Sequence, residues 1–230
     1  MMISKEEKFK LILLGHSEAG VGLMTDLVNE SFGISQFDVV KNVDLPDCQF
    51  VPSLYDIHYF SDREYDFEAN KPFKVQFGVQ QSHIRFILFQ HFNELGGISQ
   101  EDYLPVRHRL SYVAPSASYQ GGVLIEPQAV VSSFSRLGFG VSVKRSASVG
   151  HHASLGDFVS INPAAVLSGY VEVGEGSEIG SGAVISNNVK IGKRSLIGAG
   201  SVVTKDIPDG VIAYGNPCKV VKENSIWKDV

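Results

Sequence analysis

At 230 residues, with 43% hydrophobic and 20% charged residues, the chain has enough apolar material for one large packed domain or two modest ones. Its net charge of -5 gives no overall basic field, which argues against nucleic acid or an anionic membrane surface as a partner and leaves any anionic ligand to a local site. Two cysteines without metal-type spacing, Cys48 and Cys218, give no disulfide framework. A polar start of mixed charge and the lack of a membrane-length apolar run complete the expectation of a cytoplasmic protein without membrane insertion.

The first element predicted is a short apolar strand, Phe9 to Leu14. The turn GHSEAG, Gly15 to Gly20, carries it into a helix running to about Ser31. A second strand is expected at Phe37 to Val43, ending near Asp44. A third is expected at Phe73 to Val79, before a helix from about Gln81 to Leu95. Alternating strands and helices suggest a small parallel, Rossmann-like α/β domain over residues 1–103. A glycine-bearing turn between strand and helix can hold phosphate on backbone N–H groups. Here it reads Gly-x-x-x-x-Gly, short of the full dinucleotide fingerprint, and a tight turn without ligand explains it equally well.

Leu104 to Leu110 reads as a linker. From Val113 to Val203 a Val, Ile or Leu then returns every six positions, with Tyr119 the one departure. Four residues after each stands Ala, Val or Ser in nearly every repeat, and Gly often follows the aliphatic directly. Helices repeat at 3.6 residues and simple strands at two, so neither accounts for a period of six. A triangular parallel β-solenoid does. Each hexad supplies one inward aliphatic and one corner, with small residues letting the chain bend, and three hexads close a coil whose strands stack about 4.8 Å apart. Residues 104–230 form this second domain. After Val203 the turn-rich KDIPDG and GNPCK end the repeat.

His151 and His152 stand at a predicted corner. Ser133 and Gly169 flank His151 from the neighbouring coils and leave it room, while Phe134 and Tyr170 flank His152. Histidine suits a general base, because its ordinary pKa lies near neutrality, but two histidines on a corner are also a plain surface feature.

The repeat, the closing segments and the stretch SVGHHASLGDFVSINPAAVLSG together resemble the hexapeptide-repeat sugar acetyltransferases, in particular the sialic acid O-acetyltransferase and UDP-4-amino-sugar N-acetyltransferase proteins. The resemblance implies a left-handed β-helix behind the α/β domain, a homotrimer, acetyl-CoA as co-substrate and no metal. It places His151 on the catalytic base, with His152 where the family carries Asp or Glu. It assigns Ser160, Gly169, Ser181 and Ala199 to acetyl-CoA. It assigns Gly15, Ser17, Glu18, Ala19, Asp44 and Gly78 to a nucleotide-linked amino sugar. The implied reaction is transfer of acetyl to the sugar amine. Transfer to a sugar hydroxyl, or sugar-nucleotide binding without turnover, are the alternatives. The β-helical carbonic anhydrases need three converging histidines, and with only His108 nearby such a zinc site cannot be drawn. The flat faces near Val141 to Val149 and Ile161 to Leu167 are expected to pack the trimer. Both cysteines are read as structural, and Trp227 as uninformative.

Overall fold

The computed structural model describes residues 9–43, 46–47 and 54–228. The N-terminal part is a four-stranded parallel sheet: β1 (Lys10–Leu14), β2 (Gln36–Lys41), β3 (Asp56–Ser61) and β4 (Phe73–Phe77), in the order β3-β2-β1-β4. Helix α1 (Glu18–Phe32) follows β1, and α2 (Ser82–Gly96) follows β4. Leu11, Ile12, Leu13 and Leu14 are all fully buried, as a central parallel strand covered on both faces requires. The sequence reading contains no β3. That strand is an edge strand with polar positions at Asp56, His58 and Ser61, and no continuous apolar run marks it.

From Val106 the chain winds into a left-handed parallel β-helix of two-residue strands. Partners lie one coil apart, as in Ser148↔Val166 and Val149↔Leu167. The aliphatic of each hexad points inward, and Ile125, Val143, Val149, Ile161, Ile179, Ile185 and Ile197 have no solvent exposure. The expected linker is itself solenoid, since Val106–Arg107 pairs with Leu124–Ile125 as the first rung.

Corner bending works differently from the expectation that small residues and glycine supply it. From Tyr119 to Ile197 the left-handed residue falls three places after each inward residue. It is usually not glycine, as at Phe134, His152, Phe158 and Tyr170, with φ from 58° to 61°. The glycines directly after the aliphatics serve close approach between coils instead. A Cβ on Gly150 would stand 2.5 Å from the backbone of Ser168, and one on Gly180 would stand 2.5 Å from the Ile197 carbonyl.

The three faces of the triangle differ in their outward residues. One face, through Val106, Leu124, Ser142, Ser160 and Glu178, is covered by the α/β domain. A second carries Ser118, Arg136, Ser154, Glu172 and Lys190 and is polar. The third carries Tyr112, Val130, Ser148, Val166, Val184 and Val202, and is a largely apolar surface open to solvent. The residues expected to form flat outer contacts, such as Val141, Val143, Val149 and Ile161, are buried inside the solenoid. A period of six locates the inward position but does not say what lies over each face.

The two parts share an aromatic seam in which Phe77, Phe89 and Tyr103 meet Phe139 and Phe158. Arg85 of α2 is 3% exposed. It donates to the Gly140 carbonyl at 2.6 Å, to the Phe158 carbonyl at 3.2 Å and to Ser160 Oγ at 2.7 Å. The Glu178 carboxylate accepts the Ser82 N–H at 3.1 Å and so caps α2 from the solenoid. Trp227, far from uninformative, folds back against Gly176, Phe86 and Arg194. His108 is buried and bonds Glu30 of α1, a staple between the domains.

Candidate active site

His151 and His152 occupy the corner after strand Ser148–Val149, where the apolar and polar faces meet. Both are exposed. The His152 ring stacks between Phe134, with centroids 4.9 Å apart, and Tyr170, 4.8 Å away and inclined by 19°. His151 stands edge-on to both His152 and Tyr170. The two Nδ1 atoms are 3.0 Å apart, a hydrogen bond in which one ring donates and the other accepts.

Gly169 lies against His151. A Cβ there would stand 2.6 Å from Cε1 and 2.7 Å from Nε2 of the ring. The Gly169 N–H donates to Asn187 Oδ1 at 2.8 Å, and its carbonyl accepts from Asn188. Its contribution is therefore space for the imidazole rather than a donor for acetyl-CoA.

Ser160 is likewise engaged within the chain. Expected at the thioester, its hydroxyl is 1% exposed and lies 2.9 Å from Ser82 Oγ while accepting from Arg85. The interdomain contact uses it fully. Ser181 and Ala199 are exposed, stacked one coil apart at the corner between the domain face and the apolar face. Their amide N–H groups take no hydrogen bond among the described residues. Amides at the equivalent turn position elsewhere are capped by side chains: Phe139 by Asp157, Arg145 by Glu126 and Lys193 by Asp209. Within one chain these two open amides lie on a different corner from His151.

In the α/β domain the loop after β1 approaches the β4–α2 turn. Gly15, at φ 74°, and Gly78 are buried against one another, and a Cβ on Gly20 would collide with the Gly78 carbonyl. Gly15 and Gly78, both expected at the sugar nucleotide, are packed against one another here. Ser17 caps α1, accepting from the Gly20 N–H at 3.1 Å. Glu18 and Ala19 are exposed at the start of the helix, with amides that take no hydrogen bond among the described residues. Asp44 lies outside the described residues, as does Cys48.

A cavity of about 400 Å³ opens at the carboxyl ends of β2 and β3, lined by residues that include Lys41, Asp47, Tyr59, Asp62 and Arg63. It adjoins the β1–α1 loop through the His16–Tyr59 ring contact at 5.5 Å. The carboxyl edge of a parallel sheet is where open α/β sheets take ligands. These lining residues were not legible, because only the pairing of β2 with β3 brings Lys41 and Tyr59 together. Burial, with Lys41 nearby, holds His16 below its ordinary pKa. Burial pushes the Cys218 thiol up, the opposite of an activated nucleophile.

The fold and the histidine corner are those expected of a hexapeptide-repeat transferase, and known proteins with the same repeat and fold can be compared. Residues 170–205 match the family model "Bacterial transferase hexapeptide (six repeats)". No curated protein matches the sequence. Among solved structures, the acetyltransferase domain of PglB from Neisseria gonorrhoeae, determined with acetyl coenzyme A, is 28% identical. It superposes with a TM-score of 0.77 over 94% of this chain and 100% of its own. Perosamine N-acetyltransferase from Caulobacter crescentus, in a histidine-to-asparagine form with CoA and GDP-perosamine, is 23% identical. Its TM-score is 0.78, over 94% of this chain and 98% of its own. WeeI from Acinetobacter baumannii is 23% identical, with a TM-score of 0.79 over 93% of this chain and 100% of its own. The chain thus carries the hexapeptide transferase repeat over residues 170–205 and is similar along nearly its whole length to the PglB acetyltransferase domain.

Proposed function

We propose that this chain transfers the acetyl group of acetyl-CoA to the amino group of a nucleotide-linked amino sugar, with His151 as general base. The observation that carries the reading is the supported histidine corner. An exposed imidazole is held edge-on by hydrogen bond and ring contact, against a glycine whose missing Cβ gives the ring its space. The α/β domain supplies a place for the sugar nucleotide, at the Glu18 and Ala19 amides and the cavity beside Lys41.

Lys41 and Arg63 offer cationic side chains to a diphosphate. His151 takes a proton from the attacking amine as nitrogen bonds to the thioester carbon. A backbone N–H stabilises the oxyanion. The C–S bond then breaks, and the proton on His151 returns to the departing thiolate. A neutral imidazole partner in place of a carboxylate makes His151 the weaker kind of supported base. An amine needs less activation than a hydroxyl, so this favours N-transfer over O-transfer.

The open Ser181 and Ala199 amides suit the amide carbonyls of the acetyl-CoA arm. They lie on another corner from His151, so a complete site takes His151 from one copy and these amides from the next. The exposed apolar face between the two corners suits that packing, and a homotrimer satisfies it. No helix among the described residues is long and apolar enough to cross a membrane, and the reading places the reaction in the cytoplasm.

The test is thiol release from acetyl-CoA with UDP-, dTDP- and GDP-linked 4-amino sugars, for the unaltered protein and His151→Ala. Turnover with one sugar, reduced about 10²-fold or more by the substitution, is expected. No turnover across the panel, with nucleotide binding intact, would assign the chain to binding without transfer.

A further inference from the structure

We infer that His152 is a positioning residue that does the work of a carboxylate: as a neutral ring it accepts the Nδ1–H of His151 and keeps the Nε2 lone pair of His151 available to the substrate. The inference rests on the reading of His151 as the base.

Two neutral imidazoles whose Nδ1 atoms are 3.0 Å apart share one proton in one of two ways. If His152 donates, His151 carries its own proton on Nε2 and cannot act as a base there. If His151 donates, Nε2 holds a lone pair. The reading of His151 as the base selects the second arrangement, in which neutral His152 carries its own proton on Nε2. The Nε2 edge of His151 lies over Gly169, whose carbonyl is taken by the Asn188 N–H. The His152 ring is fixed from both sides by Phe134 and Tyr170, and its backbone is fixed at φ 58° by the corner. Its Nδ1 therefore presents one direction to His151, as a buried carboxylate oxygen does in other supported bases. Once His151 has taken the substrate proton, its Nδ1–H donates to an uncharged partner. No anion holds the proton in place, and the return to the thiolate is not opposed.

Ring-nitrogen ¹⁵N NMR of histidine-labelled full-length protein, at a pH where both rings are neutral, reads the tautomer without substrate. The His151 signals are assigned with His151→Gln. His151 is expected as the Nδ1–H tautomer in the unaltered protein and in His152→Glu, which restores an acceptor. In His152→Phe, which keeps the stack and removes the acceptor, and in His152→Ala, it is expected to revert mainly to Nε2–H. Persistence of Nδ1–H in both variants would overturn the inference, as would Nε2–H in the unaltered protein. With an active sugar in hand, kcat is expected to fall about tenfold or more in His152→Phe and to recover in His152→Glu, with KM little changed. If no sugar is turned over, the transferase reading fails on its own assay, while the tautomer still decides this one.

Discussion

Gly169 and His151 illustrate how one absent side chain sets a functional geometry. The imidazole occupies the volume that a Cβ on Gly169 would fill. Gly169→Ala is therefore expected to turn the His151 ring and lower kcat about tenfold to a hundredfold. The melting temperature is expected to stay nearly unchanged, because Gly169 has an ordinary backbone φ; paired kinetics and thermal melts check this. His16 gives a pH prediction at the same scale. Its pKa in the folded state is held below the ordinary value, first by burial and then by Lys41. The unfolded chain thus binds that proton more readily, and the contribution is present above the ordinary histidine pKa and lost as pH falls below it. His83, also lowered chiefly by burial, acts in the same direction. Stability measured in urea is expected to drop from about pH 7 to pH 5, and His16→Asn to shrink that drop.

At the scale of elements, α2 is the part that joins the two domains. Burial pushes the Arg85 guanidinium down to about 10, opposed by Glu178, so it remains charged at neutral pH. It serves the carbonyls of Gly140 and Phe158 at once, together with Ser160. Arg85→Ala leaves these acceptors buried without a donor and is expected to cost about 3 kcal/mol or more. The loss should appear as an earlier transition in denaturant with native β-signal before it. Trp227 closes the same seam from the C-terminal side, with Arg194 4.9 Å over its ring.

For the whole molecule, the three faces have three fates: one is covered by the α/β domain, one is polar, and one is apolar and open. Val166 and Val184 stand at the centre of the open face, each 39% exposed. In the proposed trimer, Val166→Lys with Val184→Lys places unpaired charges inside the contact. Sedimentation is expected to show a smaller species. Turnover is expected to vanish with His151 intact, because the amides of Ser181 and Ala199 would no longer reach it.

The period of six alone determined the solenoid and its inward residues, because a strand-and-corner unit repeats its burial pattern in the chain itself. It also placed the aromatic neighbours of His152 one coil away, since register in a solenoid is simple addition along the sequence. Apolar runs and turn glycines made β1, α1 and α2 legible for the same local reason, whereas edge strand β3 lacked that signal. Tertiary structure alone decided which face the α/β domain covers. That choice engaged Ser160 with Arg85, while packing inside the α/β domain set Gly15 against Gly78 and built the cavity between Lys41 and Tyr59. Such outcomes depend on which outward residues of one domain fit those of another. That is complementarity between distant segments, and no local periodicity encodes it.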